Sequence, residues 1–201
     1  MIQMIFEKKN KEVKPVRLEK QPSLLRDILT TLLHLGLMVG FVIFFLTCIG
    51  QRVEVEGSSM EDTLHNKDQL IVDCFTYRFL HAPKRQDIVV FRLSDQPDTF
   101  YVKRIIGLPG ETVQIKDSVI YINGKAIEDP YATQRVFPSG SAEHSITLGE
   151  NEFFVMGDNR NNSKDSRYSE VGPVSRSQIV GRAWLRVWPF DTRTNLIPKG
   201  E

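Results

Sequence analysis

Cysteine is scarce in this sequence of 201 residues, and neither sign of charge is in marked excess. The two cysteines, Cys48 and Cys74, form no CxxC pair, so they cannot supply a metal-ligand set alone, and two unpaired thiols are favoured over a disulfide. The formal net charge is only +1, and no long polar tract indicates extended disorder. We therefore expect a folded protein that needs no metal or other cofactor and binds no nucleic acid.

Charged residues are also absent from one long segment. The 24 residues from Ile28 to Gln51 carry no Asp, Glu, Lys or Arg, and as a helix they would be roughly 36 Å long, enough to cross a hydrocarbon core of about 30 Å. The alternative is a cleavable signal peptide, whose apolar region is usually about 7–15 residues long and followed by small residues. The following sequence, QRVEVEG, has no Ala-x-Ala pattern. We therefore predict a retained anchor in a lipid bilayer.

The charges on either side of this segment indicate its orientation. Residues 1–26 contain seven Lys or Arg, whereas only Arg52 closely follows the segment. Because basic residues concentrate on the cytoplasmic side of membrane spans, we expect a single-pass protein of the cell membrane. Its parts are a basic cytoplasmic tail (1–26), a transmembrane anchor (27–51) and an extracytoplasmic domain (52–201).

The extracytoplasmic part has the β-prone runs and turn signals of a mainly β domain. Asn123-Gly124 predicts a tight hairpin, and no helical period of useful length follows the anchor. The expected fold class is therefore mainly β, a Greek-key or barrel-like sheet behind a transmembrane helix. We expect a small insertion around 112–150, in which 129–150 form a loop away from the chemistry. Strands are predicted at Gln69–Phe75, Asp87–Leu93, Thr99–Leu108, Thr112–Lys116, Val119–Ile122, Lys125–Ile127, Glu152–Met156 and Ile179–Val187.

Three segments of this domain carry side chains that are capable of catalytic chemistry, although each segment has a structural interpretation when taken alone. The first, GSSMEDTL at 57–64, places Ser59 three residues before Asp62, which fits a helix-capping box. The second, YVKRIIGLPG at 101–110, places Lys103 and Arg104 on opposite faces of a strand. Desolvation there would lower the pKa of the lysine, but a lysine extending its amine to water at a sheet edge is the simpler interpretation.

The third segment, GDNRNNSKDSR at 157–167, is a loop dense in hydrogen-bonding groups. Such a loop is either a solvated turn or a rigid polar scaffold for a site. Together with DIVVF at 87–91 and the preceding apolar span, the three segments resemble the sequence boxes of type I signal peptidases, in order and spacing, over about residues 27–187. The resemblance implies a membrane-bound serine endopeptidase, similar to Gram-positive members, that removes signal peptides from exported preproteins.

The resemblance also implies the roles of individual residues. Ser59, immediately before Met60, corresponds to the family's nucleophile, Lys103 to its general base, and Ser163 to the serine thought to position that lysine. Four more residues are implied to form two structural salt bridges: Asp158 with Arg104, and Asp165 with Arg167.

The chemistry of a Ser–Lys pair is coherent without the family. A serine hydroxyl is a poor nucleophile until a base takes its proton, and an ordinary lysine, with a pKa near 10.4, is charged at neutral pH. To act as a base, the lysine needs a pKa of about 7–8. No His–Asp pair offers a convincing alternative, because His65, His81 and His144 lie outside the three segments.

This sequence departs from the family pattern at two positions. Gly57 stands where some relatives carry a serine that helps to stabilise the oxyanion, which leaves that task to backbone N–H groups, including that of Ser59. Asp62 replaces a usual proline, and both a capping turn and altered substrate contacts are open interpretations. The substrate is expected to pair with an edge strand and to place small side chains in two shallow apolar pockets. The candidate pocket walls are Met60, Ile71, Val90 and Tyr101.

Two other functions are weighed against the peptidase. A self-cleaving repressor uses a similar dyad, but such proteins are soluble and carry a DNA-binding domain, whereas this chain has an apolar span. A specialised or non-catalytic assembly factor for pilins or other surface proteins would tolerate a decayed site. The presence of both Ser59 and Lys103 argues against decay, and only Asp62 favours it.

Overall fold

The computed structural model describes residues 24–48, 51–61, 63–131 and 134–189. The predicted basic tail (apart from residues 24–26) and Asp62 lie outside these residues. The chain divides into two compact units, Met1–Phe41 and Val42–Glu201. The boundary falls within helix α1, Leu24–Cys48.

Helix α1 is, within the described residues, the one helix long and apolar enough to cross a membrane. Its side chains from Leu24 to Phe45 are all exposed, as expected where lipid rather than protein surrounds a helix. The hydroxyls of Thr30 and Thr31 donate to the carbonyl of Asp27 at 3.0 and 2.8 Å, so these polar groups are satisfied within the helix.

The predicted anchor, residues 27–51, stays a prediction beside the helix that the structure describes. The helix is described over Leu24–Cys48, so it includes the charged residues Arg26 and Asp27. It ends at Cys48, and Gln51 already belongs to a strand in which it pairs with Val72. The absence of charge marked the apolar segment, but it did not mark where the backbone changes from helix to strand.

The rest of the described chain is mainly β, which confirms the predicted fold class. The strands are β1 Gln51–Glu54, β2 Gln69–Asp73, β3 Ile88–Leu93, β4 Gln96–Gly107, β5 Thr112–Lys116, β6 Val119–Ile122, β7 Lys125–Ala126, β8 Ile146–Thr147, β9 Glu152–Met156, β10 Val174–Ser175 and β11 Ile179–Trp188. Strands β1, β8 and β10, each two to four residues long, were not predicted. A π-helical turn at Thr76–Leu80 and two 3₁₀ turns at Gly140–Glu143 and Arg176–Gln178 complete the structure.

The larger sheet has seven antiparallel strands in the order β1-β2-β11-β3-β4-β9-β10. Four antiparallel steps separate β1 from β4, so these two strands run in the same direction. Residues of both line one cleft of about 320 Å³, with Arg52, Val53, Glu54 and Glu56 on one side and Asp98, Thr99 and Phe100 on the other. Among the described residues, β4 pairs with β9 only from Arg104 onward, so the preceding half of its edge is open.

The smaller sheet lies within residues 112–147 and has the order β7-β6-β5-β8. Asn123 and Gly124 both have positive φ (52° and 76°) in the β6–β7 hairpin, the turn that an Asn-Gly pair favours. Apolar side chains of this sheet pack with Ile106, Phe154 and Met156 of the larger sheet to form one hydrophobic core. A second core, which includes Met60, Leu64 and Val90, lies under the turn that carries Ser59.

Candidate active site

The segment after β1 forms a series of tight turns that presents Ser59. The series begins at Gly57, whose φ of +91° is a backbone conformation that residues with a side chain disfavour. The N–H of Gly57 donates to Asn66 Oδ1 at 3.0 Å. Met60 and Leu64, which follow Ser59 in this segment, are fully buried. Among the described residues of this segment no α-helix begins, and the hydroxyl of Ser59 contacts Lys103. The acid of the capping-box interpretation, Asp62, lies outside the described residues.

Lys103 lies on β4 opposite Val89 of β3 and is only 4% exposed. Its Nζ lies 2.6 Å from Ser59 Oγ and donates to the carbonyl of Val102 at 3.1 Å. Burial lowers the pKa of the Lys103 amine to about 8, although the carboxylates of Asp165 and Asp158 favour its charged form. The amine is therefore buried, touches the hydroxyl, and is close to neutral in mildly alkaline solution.

Ser163 lies in the same loop as Asp158 and is 8% exposed. Its Oγ is buried and has no hydrogen-bond partner among the described residues, so the contact with Lys103 that the resemblance implies is not made here. A Cβ on Gly157 would collide with this Oγ and with the carbonyl oxygen of Ser59. Only glycine at 157 therefore lets the polar loop approach the nucleophile this closely.

The two implied salt bridges are both present and buried. Arg104 donates to both carboxylate oxygens of Asp158, Nε to Oδ1 at 2.8 Å and Nη2 to Oδ2 at 2.6 Å. Arg167 likewise donates to Asp165, with Nε to Oδ1 at 2.8 Å and Nη2 to Oδ2 at 2.9 Å. Charges buried in this way are tolerated because each is paired and hydrogen-bonded.

The polar loop also holds the nucleophile's backbone. The N–H of Asn159 donates to the carbonyl of Ser59 at 3.2 Å, and its side-chain amide donates to the carbonyl of Ser58 at 3.0 Å. The side-chain amide of Asn162 donates to Ser58 Oγ at 2.9 Å. Sequence reasoning recognised this loop as a scaffold but did not single out either asparagine. Their spacing carries no signal until the partner turn is known.

The segment from Asp129 to Glu150 was predicted to lie away from the chemistry, but part of it contacts residues of the site. Asp129 forms an ion pair with buried Arg160 of the polar loop, and the ring of Tyr131 lies 3.5 Å from Cζ of Arg104. The prediction was wrong because polar composition does not reveal which loop residues fold back onto a buried cation.

The four candidate pocket walls do not gather around one cavity. Met60 and Val90 are fully buried in the same core. Tyr101 stacks on Phe91 with ring centroids 5.7 Å apart, in a different core. Ile71 alternates with Leu70 and Val72, which belong to the core of Met60, so it points to the opposite face of the sheet. The prediction selected apolar residues near the motifs without knowing which faces of the strands they occupy.

Comparisons with known proteins identify the family of this chain. A family model described as signal peptidase, peptidase S26, matches residues 28–188. Signal peptidase I of Bacillus licheniformis is 39% identical over 144 residues, which cover 68% of this chain and 76% of that protein. Signal peptidase I S of Bacillus subtilis (strain 168) is 39% identical over 145 residues, with the same coverage.

Two further similarities extend this comparison. Signal peptidase I of Leptolyngbya laminosa is 35% identical over 185 residues, which cover 89% of this chain and 88% of that protein. A crystal structure of a signal peptidase I from Enterococcus faecalis V583 is 34% identical and aligns with a TM-score of 0.43, covering 51% of this chain and 97% of that one. Since the family model spans most of the sequence, this chain belongs to the peptidase S26 signal peptidase family, the serine peptidases that cleave signal peptides from preproteins.

Proposed function

We propose that Ser59 is the nucleophile and Lys103 the general base with which this chain cleaves signal peptides. The observation that carries the proposal is the contact of 2.6 Å between Lys103 Nζ and Ser59 Oγ, formed by a lysine whose pKa is lowered to about 8 by burial. In its neutral form the amine accepts the hydroxyl proton as Ser59 attacks the scissile carbonyl. The ammonium then protonates the leaving amine, and water hydrolyses the acyl-enzyme by the reverse proton transfers.

The oxyanion of this reaction needs hydrogen-bond donors that are already in place. The backbone N–H of Ser59 makes no hydrogen bond with any described residue, so it is available to a developing negative charge beside Oγ. Gly57 offers no hydroxyl, which leaves this N–H as the donor that we assign.

The cleft between β1 and β4 is where we place the substrate. Both strands run toward the dyad: β1 leads into the turn of Ser59, and the open half of β4 ends at Lys103. An extended peptide between them could pair with the unoccupied backbone edge, the mode of recognition by β-augmentation. That pairing would bring one peptide bond to the dyad in a fixed register.

The membrane association of this family gives the anchor its role. We propose that α1 spans the bilayer once, with the basic tail in the cytoplasm, so that the catalytic domain is extracytoplasmic and meets signal peptides where they leave the membrane. Protease accessibility in right-side-out spheroplasts tests this arrangement. Digestion of the catalytic domain from the outside supports it, and protection until lysis contradicts it.

Cleavage of a fluorogenic peptide with an Ala-x-Ala site, by the full chain in detergent, tests the proposed residues. Ser59→Ala and Lys103→Ala should each abolish cleavage, by about 10³-fold or more, while Thr112→Val, remote from the dyad, should not. For the wild type, we expect kcat/KM to rise with pH through an apparent pKa near 8, because only neutral Lys103 is a base. Cleavage that survives Lys103→Ala contradicts the assigned base. A wild-type protein that binds preproteins without cutting them supports the assembly-factor function instead.

A further inference from the structure

Thr63 makes contacts that the proposed chemistry does not use. It lies four residues after Ser59 in the same series of turns, and its backbone N–H donates to the carbonyl of Met60 at 3.0 Å. Its hydroxyl donates to Asp158 Oδ2 at 2.6 Å, across 95 residues of sequence. This hydroxyl is therefore a direct link between the nucleophile's segment and the polar loop.

Asp158 is also the partner of Arg104, so the link continues to strand β4. Both side chains are only 1% exposed. Arg104 Nη2 also lies 3.4 Å from Thr63 Oγ1, and Nη1 donates to the carbonyl of Gln86 at 2.7 Å. A buried and fully paired network of this kind holds its members in one arrangement.

The three segments that form the site meet in this network. Thr63 belongs to the turn of Ser59, Arg104 follows Lys103 directly on β4, and Asp158 precedes Asn159, whose N–H donates to the carbonyl of Ser59. Besides the bonds from Asn159 and Asn162, the Thr63 hydroxyl is the contact that ties the nucleophile's turn to the carboxylate held by Arg104, so its displacement loosens the turn relative to the strand that carries the base.

We propose that Thr63 is a positioning residue: through Asp158 and Arg104, its hydroxyl fixes the distance between Ser59 Oγ and Lys103 Nζ. This inference rests on the proposed Ser59–Lys103 mechanism. Thr63 does not touch the reacting atoms, so its loss acts on the chemical step through geometry and leaves substrate binding largely intact. A misplacement of about 1 Å by a residue outside the chemistry can cost about 100-fold in rate.

The test compares Thr63→Val with Thr63→Ser in the full-length protein in detergent, with kcat and KM measured separately. We expect Thr63→Val, which keeps the shape and removes the donor, to lower kcat about 10- to 100-fold with KM changed less than about twofold. Thr63→Ser restores the donor and should recover kcat to within about threefold of wild type. Thr112→Val is the matched control, since it removes the hydroxyl of an exposed Thr112–Thr147 contact of 3.0 Å on the smaller sheet.

A second pair of variants keeps the test decisive should Thr63→Val not fold. The side chains of Cys and Ser have nearly the same size but differ in hydrogen-bond donor strength. We therefore expect kcat of Thr63→Cys to be at least about fivefold lower than kcat of Thr63→Ser. Equal kcat values in this pair, or a folded Thr63→Val whose only defect is a raised KM, overturn the positioning role. Cleavage that does not depend on Ser59 would instead overturn the proposed function, which Ser59→Ala in the same assay reveals separately.

Discussion

Two adjacent cationic side chains on opposite faces of strand β4 have different surroundings. Lys103 and Arg104 are both almost completely buried, at 4% and 1% exposure. Arg104 has both oxygens of Asp158, the carbonyl of Gln86 and the ring of Tyr131 as partners. Lys103 has, among the described residues, only the hydroxyl of Ser59 and one backbone carbonyl within hydrogen-bond reach.

This difference in partners explains why Lys103 is suited to proton transfer and Arg104 to a structural role. Burial penalises charge, and a directly bound carboxylate compensates for the penalty. Arg104 receives that compensation from both carboxylate oxygens of Asp158. Lys103 feels the charges of Asp158 and Asp165 only at a distance, so desolvation dominates and its pKa falls to about 8. Strand alternation thus separates a proton acceptor from a fixed positive charge within two residues.

Lys103→Arg should produce the largest effect, since it makes the reactive face resemble the structural one. A guanidinium cannot act as a base near neutral pH, so we expect kcat/KM for an Ala-x-Ala peptide to fall by about 10³-fold or more. The control is Thr112→Val on the smaller sheet, which should lose far less activity. Substantial cleavage by Lys103→Arg at pH 8 would show that the side chain at 103 contributes charge rather than basicity.

Asp158→Asn should produce the next largest effect, now on stability. It leaves Arg104 buried without its counterion, and breaking a buried pair typically costs about 3–5 kcal/mol. Denaturant unfolding of the full chain in detergent, followed by tryptophan fluorescence, measures the change. Glu111→Gln is the matched control, because the Arg85–Glu111 pair is partly exposed at 28% and 17% and should contribute about 1 kcal/mol or less. Equal losses from both variants would contradict the compensating role of Asp158.

Strand positions could be predicted from the sequence because they depend on local patterns, whereas the dyad was implied by a resemblance to a known family. Apolar, β-prone runs located β3 and β4, and Asn123-Gly124 located a hairpin. Three motifs in the right order resemble those of type I signal peptidases, and that resemblance implied Ser59 and Lys103 as partners. The structure brings these two side chains together and buries the amine. Their roles as nucleophile and base stay predictions until the variants are assayed.

Contacts between distant segments could not be predicted in the same way. Nothing local marks Thr63 as a partner of Asp158, 95 residues away, or Tyr131 as the ring beside Arg104. The pocket walls failed for the same reason, because the face that Tyr101 occupies follows from the pairing of strands and the core that Met60 enters follows from the packing of its turn. The contact expected of Ser163 is absent, since its hydroxyl has no partner among the described residues.

Lys103→Met should stabilise the fold at neutral pH by about 3 kcal/mol, provided that the cost of burying the amine is as large as its pKa indicates. The folded pKa is about 8 and the ordinary value is 10.5, so between these values the unfolded chain binds more protons than the folded one. Wild-type stability therefore rises as pH increases through this window. The advantage of Met, which is uncharged throughout, should be complete below pH 8 and gone above 10.5. Unfolding measured at pH 7 and pH 10.5 checks the sign, and a constant difference would contradict it.

Tyr131→Leu should produce the smallest effect and tests how far Arg104 depends on its aromatic neighbour. A desolvated cation–π contact contributes about 1–2 kcal/mol, so the loss of the ring should lower stability by that amount. Tyr131→Phe keeps the ring face over the guanidinium and should lose much less. Because Asp158 and Gln86 still hold Arg104, kcat should change less than it does in Thr63→Val. A larger kcat loss in Tyr131→Leu would mean that the segment from the smaller sheet, rather than Thr63, sets the position of the base relative to the nucleophile.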